Sequence, residues 1–206
     1  MRGDSGELAL EPMQLEQAAL LEVAGAARGL WFRSEEPLTG TSPAAEIRRR
    51  SVQLLNLKLS LIEPWIAAGQ PVLDLSSDDP DLYIAALATE RAWLVMLFHP
   101  VEGEQFVSAP LSSREVSLVV PGVSASADAY RLTVEGIEPL RHRRVTGGVR
   151  LTANPVDKVT LLVVSQDPQV IDILRLRTSE HHPPPGRLQV EVALALTAQR
   201  GPVIVA

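Results

Sequence analysis

The sequence predicts a mixed α and β fold, a helix–strand–helix segment followed by an antiparallel β-sandwich. Two observations predict it. Between residues 12 and 69, apolar residues recur at helical spacing on either side of one short bulky run. After Gln70 the rhythm changes to apolar runs of strand length, punctuated by Gly and Pro. A chain of 206 residues can hold one sizeable core, or one domain with part of another.

Residues 1–11 are polar and acidic and are expected to be a disordered terminus. Arg2-Gly3-Asp4 is a three-residue match to an integrin-type tripeptide, too short to carry weight. The first helix is expected over 12–27: Leu15, Ala18, Ala19, Val23 and Ala26 share a face and Pro12 suits its first turn. Leu20 and Leu21 lie opposite, so this helix expects more than one neighbour. Residues 27–32 read as a buried strand and 33–41 as a polar loop. A long helix follows over 43–68, with Ser42 as N-cap, Pro43 at the first position and a stripe of Ile47, Leu54, Leu55, Leu61, Ile62 and Trp65. Leu55, Leu57, Leu59 and Leu61 also alternate as a strand would, but length and the absence of turn residues favour the helix. Pro64 is expected to kink it, and Gly69 to take the left-handed position beyond its end.

The β region reads as strands over 82–88, 91–98, 105–108, 115–120, 129–134, 139–145, 149–152 and 158–164. Turn signals separate them, among them Pro121-Gly122, Gly136, Gly147-Gly148 and Asn154-Pro155. Trp93, Val95, Leu97, Leu118 and Val120 are the expected inner-face core. Asp167-Pro168 opens a short helix over 169–176. The predicted divisions are a helix–strand–helix segment over 12–70, a sandwich over 71–178, a linker over 179–187, and a segment over 188–206 that could be helix or strand.

Composition excludes several classes. A net charge of −6 argues against nucleic acid as the main partner. No cysteine means no disulfide, cysteine nucleophile or thiolate metal site. No run approaches the ~18 apolar residues of a spanning helix, so membrane insertion is not expected. No signal segment is visible, and the compartment is left open.

One resemblance is carried by named residues. Ala26-Ala27-Arg28-Gly29-Leu30-Trp31-Phe32-Arg33-Ser34, then Pro37-Leu38, Leu55-Asn56-Leu57 and Ile62-Glu63-Pro64-Trp65 resemble the end of a bacterial (β/α)8-barrel glycoside hydrolase. Val119-Val120-Pro121-Gly122 and the run Pro139 to Val145 resemble segments of the β-sandwich that follows such barrels. The resemblance covers about residues 12–176 and includes no catalytic signature. It implies that the helix–strand–helix segment is the remnant of a (β/α) barrel and that the catalytic carboxylates lie on strands this chain lacks.

In such a barrel, active-site groups sit at the C-terminal ends of strands. The one such edge here is Arg33, Ser34, Glu35 and Glu36. The resemblance makes Arg33, Glu35 and Glu36 candidate substrate-binding residues. Adjacent Glu35 and Glu36 cannot flank one glycosidic bond, which needs carboxylates about 5–9.5 Å apart from different strands. No catalytic residue, metal ligand or cofactor is therefore assigned. His181 and His182 have no third ligand at metal spacing and read as a linker. Asp78-Asp79-Pro80-Asp81 lacks the spacing of a calcium loop and reads as a turn. Gly147-Gly148 has no following helix and is not a phosphate loop. Arg141-His142-Arg143-Arg144 could meet an acidic polymer, but its side chains alternate between faces, and a solvated sheet edge is the simpler reading.

The leading expectation is a non-catalytic C-terminal part of a glycoside-hydrolase-like protein, with carbohydrate as the candidate ligand and a packing partner for residues 12–69. One rival is a stand-alone carbohydrate-binding or surface-interaction module, which needs exposed aromatics among Trp31, Trp65, Tyr83, Trp93, Phe106 and Tyr130. The other is an enzyme that uses Glu35 or Glu36 in a site completed by a partner chain.

Overall fold

A computed structural model describes residues 12–33, 37–73, 75–99, 115–124, 126–153 and 158–180. These form four helices and two antiparallel sheets. Helices α1 (Pro12–Ala24), α2 (Pro43–Leu61) and α3 (Glu63–Ala68) precede the strands, and α4 (Pro168–Glu180) follows them. The six-stranded sheet has the order β1-β3-β4-β10-β6-β7, from β1 (Gln70–Val72), β3 (Tyr83–Ala88), β4 (Ala92–Phe98), β10 (Val159–Ser165), β6 (Asp128–Leu132) and β7 (Ile137–Pro139). The four-stranded sheet runs β2-β5-β9-β8, from β2 (Ser76–Ser77), β5 (Val116–Pro121), β9 (Gly148–Ala153) and β8 (Arg141–Val145).

The layers follow from strand periodicity. On β4, Val95 and Leu97 point to the four-stranded sheet, where they meet Leu118, Val120 and Leu151. The alternate residues Leu94, Met96 and Phe98 point to the helices and meet Leu20, Leu61, Ile62 and Trp65. Strands β4 and β10 are thus covered on both faces, which is why they read as unbroken apolar runs, AWLVMLF and VTLLVVS. Strand β5 alternates buried and half-exposed residues because only one of its faces is covered. Val95, Leu97, Leu118 and Val120 are buried as expected, and Trp93 packs half-buried beside them.

Several local expectations are corrected. Residues 27–33 form no strand and run as irregular backbone. Helix α1 stops at Ala24, three residues early. Ala27 N bonds Glu22 O and Ala26 N bonds Val23 O, each at 2.9 Å. That pairing is a Schellman cap, and it puts Ala26 in the left-handed region at φ 66°. The helix expected over 43–68 is two helices. Ile62 breaks it at φ −99°, ψ 7°, and Pro64 sits in the first turn of α3, where its missing N–H costs no hydrogen bond. Ser42 does cap α2, accepting Ala45 N at 3.1 Å. Gly69 is extended at φ −66° rather than left-handed. Glycine is needed there because a Cβ would lie 2.5 Å from Trp65 O and 2.9 Å from Leu87 Cβ.

The strand expected over 139–145 is also two strands. β7 pairs with β6 in one sheet and β8 with β9 in the other, so the chain changes sheets at Leu140. Helix α4 is longer than expected, and β1 and β2 were too short to show in the sequence. The strand expected over 105–108 lies outside the described residues, as do 1–11, the linker from 181 onward and 188–206.

Candidate functional site

Of the three candidate substrate-binding residues, Arg33 is exposed on the irregular segment, while Glu35 and Glu36 lie outside the described residues. The segment is held by Arg28. Its guanidinium donates to Trp65 O at 3.3 Å, to Ile66 O and to Gly69 O at 2.8 Å. These are carbonyls at the C-terminal end of α3, which carries the negative end of the dipole; Trp65 O also accepts Gly69 N. A strand-forming run therefore becomes a tether, because one arginine fork finds three acceptors in a row. Nothing in the sequence spacing of Arg28 and Gly69 signals that contact.

A cleft of about 240 Å³ lies where β10 meets α4, lined by Asp128, Tyr130, Ser165, Asp167, Asp172 and Arg175 among others. Its polar groups hold the fold together. Asp167 caps α4, accepting Gln169 N at 2.9 Å through Oδ1, while Oδ2 accepts Arg91 Nε. The Arg91 hydrogen bond holds the Asp167 carboxyl below the usual carboxylate range, with the Gln169 N–H acting in the same direction and burial opposing both. An acid kept ionised in this way is a poor proton donor. Ser165 Oγ donates to Arg91 O at 2.8 Å and accepts Asp167 N at 3.0 Å, so it is not poised as a nucleophile. Asp172 faces Arg175, and Asp128 faces His142 Nε2 at 3.8 Å.

The acidic run at 78–81 is a turn, as read from the sequence. Asp78 Oδ1 accepts Ser117 N at 2.9 Å, and Asp79 Oδ1 accepts Asp81 N at 3.1 Å. These bonds tie the carboxylates to backbone amides. Among the described residues no group of three His, Cys, Asp or Glu could hold a metal ion. Asp79 is buried and its Oδ2 lies 3.8 Å from His99 Nε2, a pair the sequence did not single out. His181 and His182 lie outside the described residues.

The aromatics divide. Trp65 is buried and donates Nε1–H to Ala92 O at 3.0 Å. Trp31 and Tyr83 are exposed, at 70% and 51%, but rise from different elements, the irregular segment and β3. Phe106 lies outside the described residues. The basic run 141–144 forms β8, the edge strand, with all four side chains exposed. Gly147, at φ 84°, turns the β8–β9 hairpin, and Gly148 starts β9 where a Cβ would lie 2.1 Å from Val120 O. This turn sets the register that places Arg143 opposite Arg150.

No described helix is long and apolar enough to cross a membrane. No family model matches the chain, and no curated protein matches it either.

Proposed function

We propose that this chain is the non-catalytic C-terminal part of a glycoside-hydrolase-like protein, in which the sandwich packs on and stabilises a (β/α) barrel through its helical layer. One observation supports the reading above others. Ile47, Leu54 and Leu61 stand seven residues apart, nearly in line along α2. Leu61 is buried in the core, yet Ile47 and Leu54 are 56% and 41% exposed. An apolar line that continues past its own core is suited to a second packing surface. Leu21 on α1 and Trp31 are exposed in the same helical layer. In this reading Arg33, Glu35 and Glu36 border a substrate site whose reacting carboxylates belong to the barrel.

Hydrogen exchange on the isolated monomer tests the packing claim. Residues 46–54 are expected to exchange much faster than 55–61, since Leu55 and Leu61 pin the latter in the core. Uniformly slow exchange along α2 and through 27–33 would show a layer already complete. Aryl-glycoside turnover by the isolated chain, abolished by Glu35→Gln, would overturn the non-catalytic reading.

A further inference from the structure

We infer that the outer face of the four-stranded sheet binds an anionic polysaccharide through Arg141, Arg143 and Arg150. Strand β8 pairs with β9 so that Arg143 stands opposite Arg150 and Arg141 opposite Thr152. Residues directly opposed in an antiparallel pair share a face, with Cβ atoms about 4.5–5.5 Å apart. Across β9, Thr152 pairs with Ser117 and Arg150 with Val119. The alternate residues Leu118, Val120, Val149 and Leu151 are buried between the sheets, so the arginines point outward.

The three cations have no direct partner among the described residues. Several other arginines are held by carboxylates, as Arg91 is by Asp167 and Arg131 by Glu138. Among the described residues Arg141, Arg143 and Arg150 have no hydrogen bond or ion pair. Facing like charges work against folding. Protection of a sheet edge accounts for charge on β8. It does not account for Arg150, because β9 is an inner strand paired on both sides. A chain of net charge −6 thus gathers three free guanidinium groups on one open face.

Among the described residues two carboxylates border the face. Glu115 lines a depression of about 260 Å³ with Arg141 and Thr152. Asp78 lies by the opposite edge, bonded to Ser117 N. The second is held at that edge by its bond to the β5 amide, about one strand spacing from β9. The described residues of the face carry no aromatic ring, so among them there is neither a stacking platform for unpaired bases nor an aromatic anchor for a folded protein. A flat row of guanidinium forks beside the Ser117 and Thr152 hydroxyls matches a flexible polymer of sugars bearing repeated sulfate or carboxylate groups. This surface is independent of the barrel reading.

Titration of the full chain with dextran sulfate, polygalacturonate, neutral dextran and poly-glutamate tests it. Binding is expected to at least one anionic polysaccharide, weakening with salt, and not to neutral dextran; the tighter of the two identifies the acidic group. The double variant Arg143→Gln/Arg150→Gln should bind about tenfold or more weakly and lower the slope of log K against log salt by about two. Its Tm should not fall, since it removes two opposed like charges. Glu115→Gln should bind more tightly. Failure to bind either anionic polysaccharide, undiminished binding by the double variant, no gain with Glu115→Gln, or equal binding of poly-glutamate overturns the inference.

Discussion

Replacing Arg28 by Gln is expected to destabilise the chain by about 1.5 kcal/mol. Arg28 donates to three carbonyls at the end of α3, those of Trp65, Ile66 and Gly69. Trp65 O also accepts Gly69 N at 2.8 Å, so it stays paired when Arg28 is removed. The loss falls on Ile66 O and Gly69 O. A hydrogen bond to a charged group contributes about 1.5–3 kcal/mol when shielded, and a cation at a helix C-terminus about 0.3–1 kcal/mol. Arg28 is exposed, so water can replace its bonds, and the sum is held to the lower end. For a chain of this size the expected fall in Tm is about 3–6 °C, read by circular dichroism on reversible melts. Arg28→Lys keeps the charge but not the planar fork, and should recover less than half of the loss. An unchanged Tm for Arg28→Gln, or full recovery with Lys, would refute the claim that this fork pins residues 27–33.

Two further outcomes follow from local geometry and charge. Ala26→Gly should raise stability by about 1 kcal/mol, because Ala26 holds a left-handed φ of 66° in the α1 cap; an unaltered urea midpoint would contradict that. Asp167 has a depressed folded pKa, so its stabilising contribution is present above the ordinary value of 3.8 and is lost as pH falls through the folded value. Asp167→Asn keeps a capping side chain but loses the charge. It should therefore be less stable than wild type near pH 6, with the gap closing as pH falls through the depressed folded value. A gap independent of pH would point to the cap and not the Arg91 pair.

Much of the β region was legible, and the reason is periodicity. The runs at 92–98 and 159–165 and the alternation at 116–121 are local signals that survive into the fold. The same runs held information that the strand-by-strand reading did not use. An unbroken apolar strand needs cover on both faces, and the cover on the second face of β4 is the helical layer, through Leu20, Leu61, Ile62 and Trp65. The illegible parts rest on contacts between distant residues. Arg28 meets Gly69 across forty-one positions, and Arg91 meets Asp167 across seventy-six. Neither spacing leaves a pattern in the chain. The candidate residues at 33–36 were named from a resemblance, and of them the structure describes Arg33 alone, exposed.

The sequence by itself determined that helices precede the strands, the Ser42 cap with Pro43 behind it, the rhythm of most strands and the core side chains Val95, Leu97, Leu118 and Val120. Those depend on neighbours within a few residues, where propensity and alternation act directly. Only the tertiary structure decided that residues 27–33 are a tether rather than a strand, that Gly69 answers to Trp65 and Leu87 rather than to a turn, and that Arg143 faces Arg150. A strand-forming run stays a strand only if a sheet edge is available to it, and a basic strand becomes a basic face only when pairing fixes its register.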